Sequence, residues 1–469
     1  MEVPVDCRSA QCAVVVALFI LSTTVVVNIR SVPRELGESA TCQGMALEIL
    51  RSALYRAASI CAVTVEPNTT DRGAVAAELR VALEQLAAIA DAASAIIARD
   101  GHKVMELDAL AGAAATALAA AWRAMHTGPW RQTPRRAREV YITAALFAAG
   151  IDAVMHKQAA ALRTLDIALM LAVPDDRGVL HAAVAAVGNA GESTDAAWRA
   201  LKVLPSTTQP TNVAACQCSV QRFTRPSLQT FYTACVFQGN PAIISGAMSD
   251  WPALERWNVP EYLARVAGAR TVPVEEGSHY MASNWSTKLC TLREFIDHIE
   301  VQSRRADGAV AGNAALAAPY LAQHALFDQI PELLADIRIP DYTVLGTSED
   351  ESSIEPAIKA WYGPAGTVTC LHMDRTRNLL AQVVGTKRVR LFPPGAGPWL
   401  YPHAGTMANT STVDPEMPPP PSVAPRFASD AAPLEVVVDL CPGEMLFIPP
   451  GWWHHVRSLS VSFSVSFWW

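Results

Sequence analysis

Charge is scarce in this sequence: only 17% of its 469 residues are Asp, Glu, Lys or Arg. Acidic residues outnumber basic ones, 44 against 37, so no net basic field draws in nucleic acid, and direct nucleic-acid binding is not expected. No CxxC pair occurs among the ten cysteines, and a chain of this size can build a core without disulfide staples. Reduced thiols are therefore expected. Cys216-Gln-Cys218 offers a soft metal two ligands without a second pair and reads as two loop cysteines. Long apolar runs are also few. The one near the start, Cys12 to Val27, is broken by Ser22, Thr23 and Thr24 and falls short of the about 20 residues a spanning helix needs. Glu2 and Asp6 outweigh Arg8, so the basic segment of a signal peptide is missing too. The run suits a buried strand or an apolar helix. Membrane contact or secretion through residues 12–27 is the alternative, and only then would the sequons at Asn68, Asn284 and Asn409 matter.

What is present is apolar. At 51% hydrophobic residues the chain is too apolar for disorder, and its length suggests two or three domains. Residues 41–204 are rich in Ala and Leu at helical spacing: Leu79, Leu83, Leu86 and Ile89 share one face of a helix within Ala74–Ala98. Further helices are predicted from about Ala137 to Ala149 and from about Ala159 to Leu171, the latter stopped by Pro174. The basic run Arg131 to Arg138 reads as a solvated helix start, with contact to an acidic partner as the alternative. This half reads as a helical bundle or interaction domain, preceded by the apolar segment 1–40. Residues 205–224 are polar, non-periodic and carry Pro and Thr, as a linker does.

From residue 225 to 469 the texture changes to short β-branched runs between Gly and Pro: Ala242-Ile-Ile-Ser, Thr271-Val-Pro-Val, Leu379 to Val384, Arg388 to Phe392 and Leu434 to Val438. Val461-Ser-Phe-Ser-Val-Ser-Phe467 alternates with period two, the pattern of a half-buried strand. The predicted class is α+β, a helical bundle followed by a β-sandwich or jelly roll. The Pro-rich insert Pro415 to Pro425 is predicted as an exposed loop.

Within that sheet region His372-Met-Asp374 places an imidazole and a carboxylate at positions i and i+2 of a strand, on one face. A third ligand lies further on, in Pro442-Gly-Glu-Met-Leu-Phe-Ile-Pro-Pro-Gly-Trp-Trp-His454-His455. Two histidines and one carboxylate on one side of a metal leave three positions open, as in non-haem Fe(II) oxygenases. His454 and His455 would face opposite ways on a strand, so only one can ligate; His454 is chosen, and His403 is a further rival. The open positions predict a chelating 2-oxoacid whose far carboxylate needs a buried cation. Lys387, on the strand after His372 across a Gly turn, is the candidate, with Arg388 and Arg390 as alternatives.

At these residues the chain resembles the JmjC-domain, cupin-type 2-oxoglutarate oxygenases, in the branch called JmjC-domain protein five or lysine-specific demethylase eight. The likeness rests on Arg225-Pro-Ser-Leu-Gln, Thr271-Val-Pro-Val-Glu275 with Gly277-Ser-His-Tyr280, and Tyr320 through Leu333. Ile339-Pro-Asp-Tyr, Trp361-Tyr-Gly-Pro, Asn378 to Gly385 and Ser462 to Trp469 carry it further. It is strong over about 222–469; a weaker likeness, from Thr127-Gly-Pro-Trp130 through Val173-Pro-Asp-Asp176, reaches into the helical half. The resemblance implies a double-stranded β-helix catalytic domain that binds Fe(II) through His372, Asp374 and His454. It implies that 2-oxoglutarate meets Tyr320, Thr369, Asn378 and Lys387, with Thr369 where Ser is expected, and that O2 is the other cosubstrate. It further implies a substrate pocket at Glu275, Tyr280 and Trp361, and hydroxylation of an arginyl residue in a protein or peptide such as a histone. Oxidative demethylation of histone lysine is the alternative, and a cupin-like protein that only binds partners is a second. The nucleus and cytoplasm are the implied compartments. The apolar start, the Pro-rich insert and the ending at Trp469 depart from the pattern without touching the predicted metal site.

Overall fold

A computed structural model of the chain describes residues 49–50, 52–53, 56–57, 81–86, 88–89, 104–127, 133, 135–188, 220–306, 319–346 and 355–469. The apolar run 12–27, Asn68, and the Cys216-Gln-Cys218 pair lie outside the described residues. The chain divides into two units, Met1–Glu192 and Ser193–Trp469.

In the first unit alanine dominates the helix contacts. Helix α1 (Val104–His126) buries Leu110, Ala114, Ala117, Ala121 and Ala124, a stripe at steps of three and four. Helix α2 (Arg135–Val154) is buried on nearly every side, which is why its sequence is apolar all round. The basic run opens this helix: Arg135 stays exposed and pairs with Glu139 at 3.0 Å and Asp175 at 3.3 Å. Helix α3 (Gln158–Leu171) ends three residues before Pro174, and Pro174 then occupies the first position of helix α4 (Pro174–Gly188). The proline stops one helix and starts the next, since its missing N–H is one that a first turn leaves unused anyway. Residues 81–86 and 88–89 are helical as well, and Leu86 and Ile89 are fully buried.

The second unit is built of strands β1 (Gln221–Thr224), β2 (Ala242–Ser245), β3 (Thr271–Glu276), β4 (Ser286–Thr291), β5 (Leu321–His324), β6 (Ala357–Gly363) and β7 (Val368–Met373). It continues with β8 (Asn378–Val384), β9 (Lys387–Phe392), β10 (Val436–Leu440), β11 (Glu444–Ile448), β12 (Trp453–Ser458) and β13 (Ser462–Trp468). β1 falls inside the stretch expected to be linker: Gln221–Thr224 pairs in parallel with β2, and its largely exposed edge position accounts for its polar sequence. A major sheet runs β1-β2-β11-β8-β13-β6-β5 and a minor sheet β10-β9-β12-β7, with β3 and β4 a separate hairpin. This is the predicted jelly roll.

The major sheet is buried on both faces. One face packs on helices α5 (Pro260–Ala267) and α6 (Leu292–Ala306) through Trp257, Phe295, Phe447, Phe463 and Phe467. The other faces the minor sheet across Leu380, Val389, Leu391, Leu446 and Ile448. β13 is therefore not half-buried, as its alternation suggested. All its residues but Trp468 are buried, with phenylalanines toward the helices and serines toward the interior between the sheets. Between β8 and β9 the chain turns at Gly385 (φ +69°), where a Cβ would stand 1.9 Å from the Val461 carbonyl oxygen. That turn sets the register of Lys387, and glycine alone fits it.

Candidate active site

The two histidines of the predicted triad come from neighbouring strands in direct register: His454 of β12 lies opposite His372 of β7. Residues of β12 alternate, so His454, Val456 and Ser458 look into the space between the sheets, while His455 looks out toward a segment carrying Asp414 and Glu416. Asp374 sits just past the end of β7, where its carbonyl accepts a hydrogen bond from the Gly451 amide at 2.8 Å. The Pro-Pro-Gly break is thereby tied to the HxD turn.

Three donor atoms converge. His372 Nε2 lies 3.7 Å from Asp374 Oδ1, His454 Nε2 lies 3.7 Å from Asp374 Oδ2, and one atom from each residue falls within 4.8 Å of the others. These separations are too long for hydrogen bonds but suit donors sharing an ion at about 2.0–2.2 Å. The far ring nitrogens are already committed: His372 Nδ1 donates to the Cys370 carbonyl at 2.8 Å and His454 Nδ1 to the Trp452 carbonyl at 3.1 Å. Each Nε2 is then the bare lone pair that a metal requires. Burial and the neighbouring His454 push His372 well below the ordinary imidazole range, which keeps it neutral. The indole N–H of Trp468 donates to Asp374 Oδ2 at 2.9 Å and orients the carboxylate. The donor set fits a divalent ion with open positions, Fe(II) among them.

A cavity of about 330 Å³, counting its open mouth, extends from the histidines between the sheets. Tyr320, Thr369, Asn378 and Lys387 all line it, as does Trp361. Lys387 is 1% exposed, its Nζ donating to the Tyr320 hydroxyl at 3.2 Å and to Ser464 Oγ at 2.5 Å. Desolvation lowers its pKa to about 7. Asn378 Oδ1 is buried without a hydrogen-bond partner. A buried cation short of an anion and an amide oxygen short of a donor are the marks of a polar ligand's berth. Arg388 and Arg390 face the other way and are engaged by Asp439 at 2.8 Å and Glu435 at 3.0 Å, so neither serves this cavity. His403 belongs to no ligand cluster among the described residues; its backbone N–H donates to the Thr410 carbonyl.

Of the three residues assigned to a substrate pocket, Trp361 lines the cavity, and Glu275 and Tyr280 are neighbours of one another. Trp361 packs with the oxoacid candidates, its ring centroid 6.0 Å from that of Tyr320 and its N–H donated to Ser466 Oγ at 3.0 Å. Glu275 and Tyr280 lie outside the cavity. Glu275 is half-buried and joined by two backbone hydrogen bonds to Tyr320, and burial raises its carboxyl while a bond from Trp285 opposes the rise. Tyr280, pushed up to about 12 by burial, senses Glu275, Cys370 and Asp374, and its hydroxyl lies 3.5 Å from Thr410 Oγ1. Reading along the sequence missed Ser464, Ser466 and Trp468. The signal was present as small polar residues at every second place of β13.

A family model described as a cupin-like domain matches residues 228–469, and one described as KDM8-like, N-terminal ARM repeats matches residues 83–200. The chain is 36% identical over 359 residues to Jumonji C domain-containing protein 5 of Drosophila melanogaster, covering 74% of this chain and 84% of that protein. It is 36% identical over 396 residues to lysine-specific demethylase JMJ30 of Arabidopsis thaliana, covering 78% and 88%. With lysine-specific demethylase 8 of Xenopus tropicalis it shares 46% identity over 246 residues, 52% of this chain and 51% of that protein. The chain belongs to the cupin-like JmjC-domain family of 2-oxoglutarate-dependent oxygenases.

Proposed function

We propose that the chain is an Fe(II)-dependent protein oxygenase that hydroxylates arginyl side chains, histone tails being one source of them. Glu275 carries the choice of arginine: it is a half-buried carboxylate near Tyr280, which in turn senses Asp374, and no ion pair among the described residues involves it. A guanidinium would supply the missing countercharge through a charge-assisted, two-pronged bond, with Tyr280 as an aromatic wall.

His372, Asp374 and His454 would hold the iron, and Lys387 would meet the far carboxylate of 2-oxoglutarate, assisted by Tyr320, Thr369 and Asn378. When bound, iron with 2-oxoglutarate and O2 supplies the oxidising power for C–H hydroxylation, the oxoacid leaving as succinate and CO2. The protein's own part is placement. Trp468 fixes the carboxylate of Asp374 at 2.9 Å, and Leu380, Ile448 and Val456 wall the cavity with apolar surface. Lys387 takes up a proton as the dicarboxylate arrives, because an adjacent anion favours its charged form.

Removal of a methyl group from histone lysine is the second reading, favoured by the printed names of the Arabidopsis and Xenopus relatives. Mass spectrometry of arginine-bearing and methyl-lysine-bearing peptides after incubation with protein, Fe(II), 2-oxoglutarate and air separates the two. A single oxygen retained on arginine, absent with His372→Ala, is expected; loss of a methylene from lysine would replace the proposal. A chromatin or cytosolic protein substrate places the enzyme in nucleus or cytoplasm, and a fluorescent fusion with and without residues 1–30 tests that.

A further inference from the structure

The outer face of β12 carries an imidazole for which the active site has no use. His455 is 1% exposed, and neither Nδ1 nor Nε2 has a hydrogen-bond partner. A buried ring with both nitrogens unanswered needs a physical reason, because each such group forfeits its hydration. The ring is aimed at the base of the Pro-rich insert. Its Nε2 lies 3.9 Å from Asp414 Oδ1, beyond hydrogen-bond range, and one donor atom each from His455, Asp414 and Glu416 lie within 4.8 Å of one another.

We propose that His455, Asp414 and Glu416 form a second divalent-cation site, separate from the iron triad and of the kind that takes Zn(II). One imidazole and two carboxylate oxygens are a borderline donor set, which suits zinc and disfavours the all-oxygen ions Mg(II) and Ca(II). His454 and His455 are adjacent on one strand and point to opposite faces, so the two ions would lie on opposite sides of the minor sheet.

The surrounding charges leave room for a cation. Arg388 pairs with Asp439, Arg390 with Glu435, and Arg457 with Glu416 through Oε2. Glu416 Oε1 has only a looser ion pair with Arg390 Nε, at 3.7 Å and outside hydrogen-bond range, and Asp414 has no guanidinium or ammonium partner among the described residues. Asp414 is also the way in: its side chain is 40% exposed, against 16% for Glu416 and 2% for His455. An ion here would fasten the insert Pro415 to Pro425 to the strand that carries His454.

The test is metal stoichiometry on the full-length chain. Wild type, His372→Ala, Asp414→Asn and His455→Gln proteins are dialysed against Zn(II) and counted by plasma mass spectrometry, with circular dichroism as the folding control. About two equivalents in wild type and about one in each variant support the proposal, as does an anomalous zinc peak among His455, Asp414 and Glu416 in crystals of the His372→Ala protein. Asp414→Asn, at a half-exposed loop position, keeps the test valid should His455→Gln fail to fold. About one equivalent in wild type that disappears in His372→Ala would overturn the proposal. Two equivalents retained in Asp414→Asn, with no peak at His455, would overturn it equally.

Discussion

Lys387 is placed where it harms the empty protein, and this gives a prediction with opposite signs for stability and for binding. Its ammonium is buried against Tyr320 and Ser464 with no carboxylate beside it, and desolvation brings its pKa from 10.5 to about 7. At about 1.4 kcal/mol per pH unit, that displacement corresponds to about 5 kcal/mol by which the fold disfavours the charged form. Between pH 7 and 10.5 the unfolded chain holds a proton that the folded chain releases. Stability should therefore rise with pH through that window and sit at its lowest below pH 7. Lys387→Met removes the charge at similar volume and should stabilise the ligand-free protein at pH 7 by about 1–4 kcal/mol, the lost hydrogen bonds offsetting part of the gain. The advantage should shrink as the pH approaches 10. Binding should move the other way: losing the buried partner of a carboxylate costs about 2–5 kcal/mol, so 2-oxoglutarate should bind at least about 30-fold more weakly. Urea denaturation at pH 7 and 9.5, with calorimetric titration of 2-oxoglutarate in the presence of Mn(II), measures both. A Met variant that is less stable and binds the oxoacid normally would refute the assignment and leave Lys387 a structural hydrogen-bond donor.

Other positions give simpler tests. Trp468→Phe keeps the aromatic packing but removes the N–H to Asp374 Oδ2, and should weaken metal affinity about 10- to 100-fold with an unchanged melting curve, read by Mn(II) titration. Glu275→Gln should cost about 1.5–3 kcal/mol in kcat/KM toward an arginine peptide while uncoupled 2-oxoglutarate turnover persists; equal losses in both would show that the residue acts on the cofactor side. Asp336, fully buried, accepts from Arg256 at 2.8 Å, Trp257 at 2.9 Å and Tyr262 at 2.7 Å. Asp336→Ala strands those donors and should destabilise the catalytic unit by about 3–5 kcal/mol in urea, with the active site intact in whatever remains folded.

How far the sequence could be read follows from where each residue's information lies. The strands β2, β8 and β9 are legible because they are short β-branched runs bounded by Gly or Pro, and each has its pattern in its own residues. The triad is legible because HxD carries its own spacing and His454 follows a chain break that only a re-aimed strand needs. β1 was hidden because an exposed edge strand needs no apolar pattern; its polar residues look like linker until β2 is known to lie beside it. The burial of β13 was hidden for a related reason. Period-two alternation reports two chemically different faces, and a sheet lined by serines toward a polar cavity alternates as cleanly as one facing water. Trp361 was grouped with Glu275 and Tyr280 through the resemblance; that its ring also stands beside Lys387 and Tyr320 depends on β6 pairing with β13 across a long stretch of chain. No local pattern holds that information.

β13 also explains why a single strand can organise a site whose candidate metal ligands it does not supply. Ser464, Ser466 and Trp468 share the face toward the interior between the sheets, and each meets a different side chain. Ser464 accepts from the ammonium of Lys387, Ser466 accepts from the indole of Trp361, and Trp468 donates to the carboxylate of Asp374. The strand rise of about 3.4 Å per residue spaces these three contacts over about 14 Å, from Lys387 at one end to Asp374 at the other. The opposite face holds Phe463, Val465 and Phe467 in the core against the helices, so the strand cannot slip by one residue without exchanging a buried aromatic row for a serine row. Register is thus fixed by the apolar face and used by the polar one. Changing the size of Phe463 or Phe467 should accordingly disturb metal and oxoacid binding together, although neither ring lines the cavity. A titration in which one affinity moves and the other does not would mean that β7 and β9, rather than β13, set the distance between the two ends.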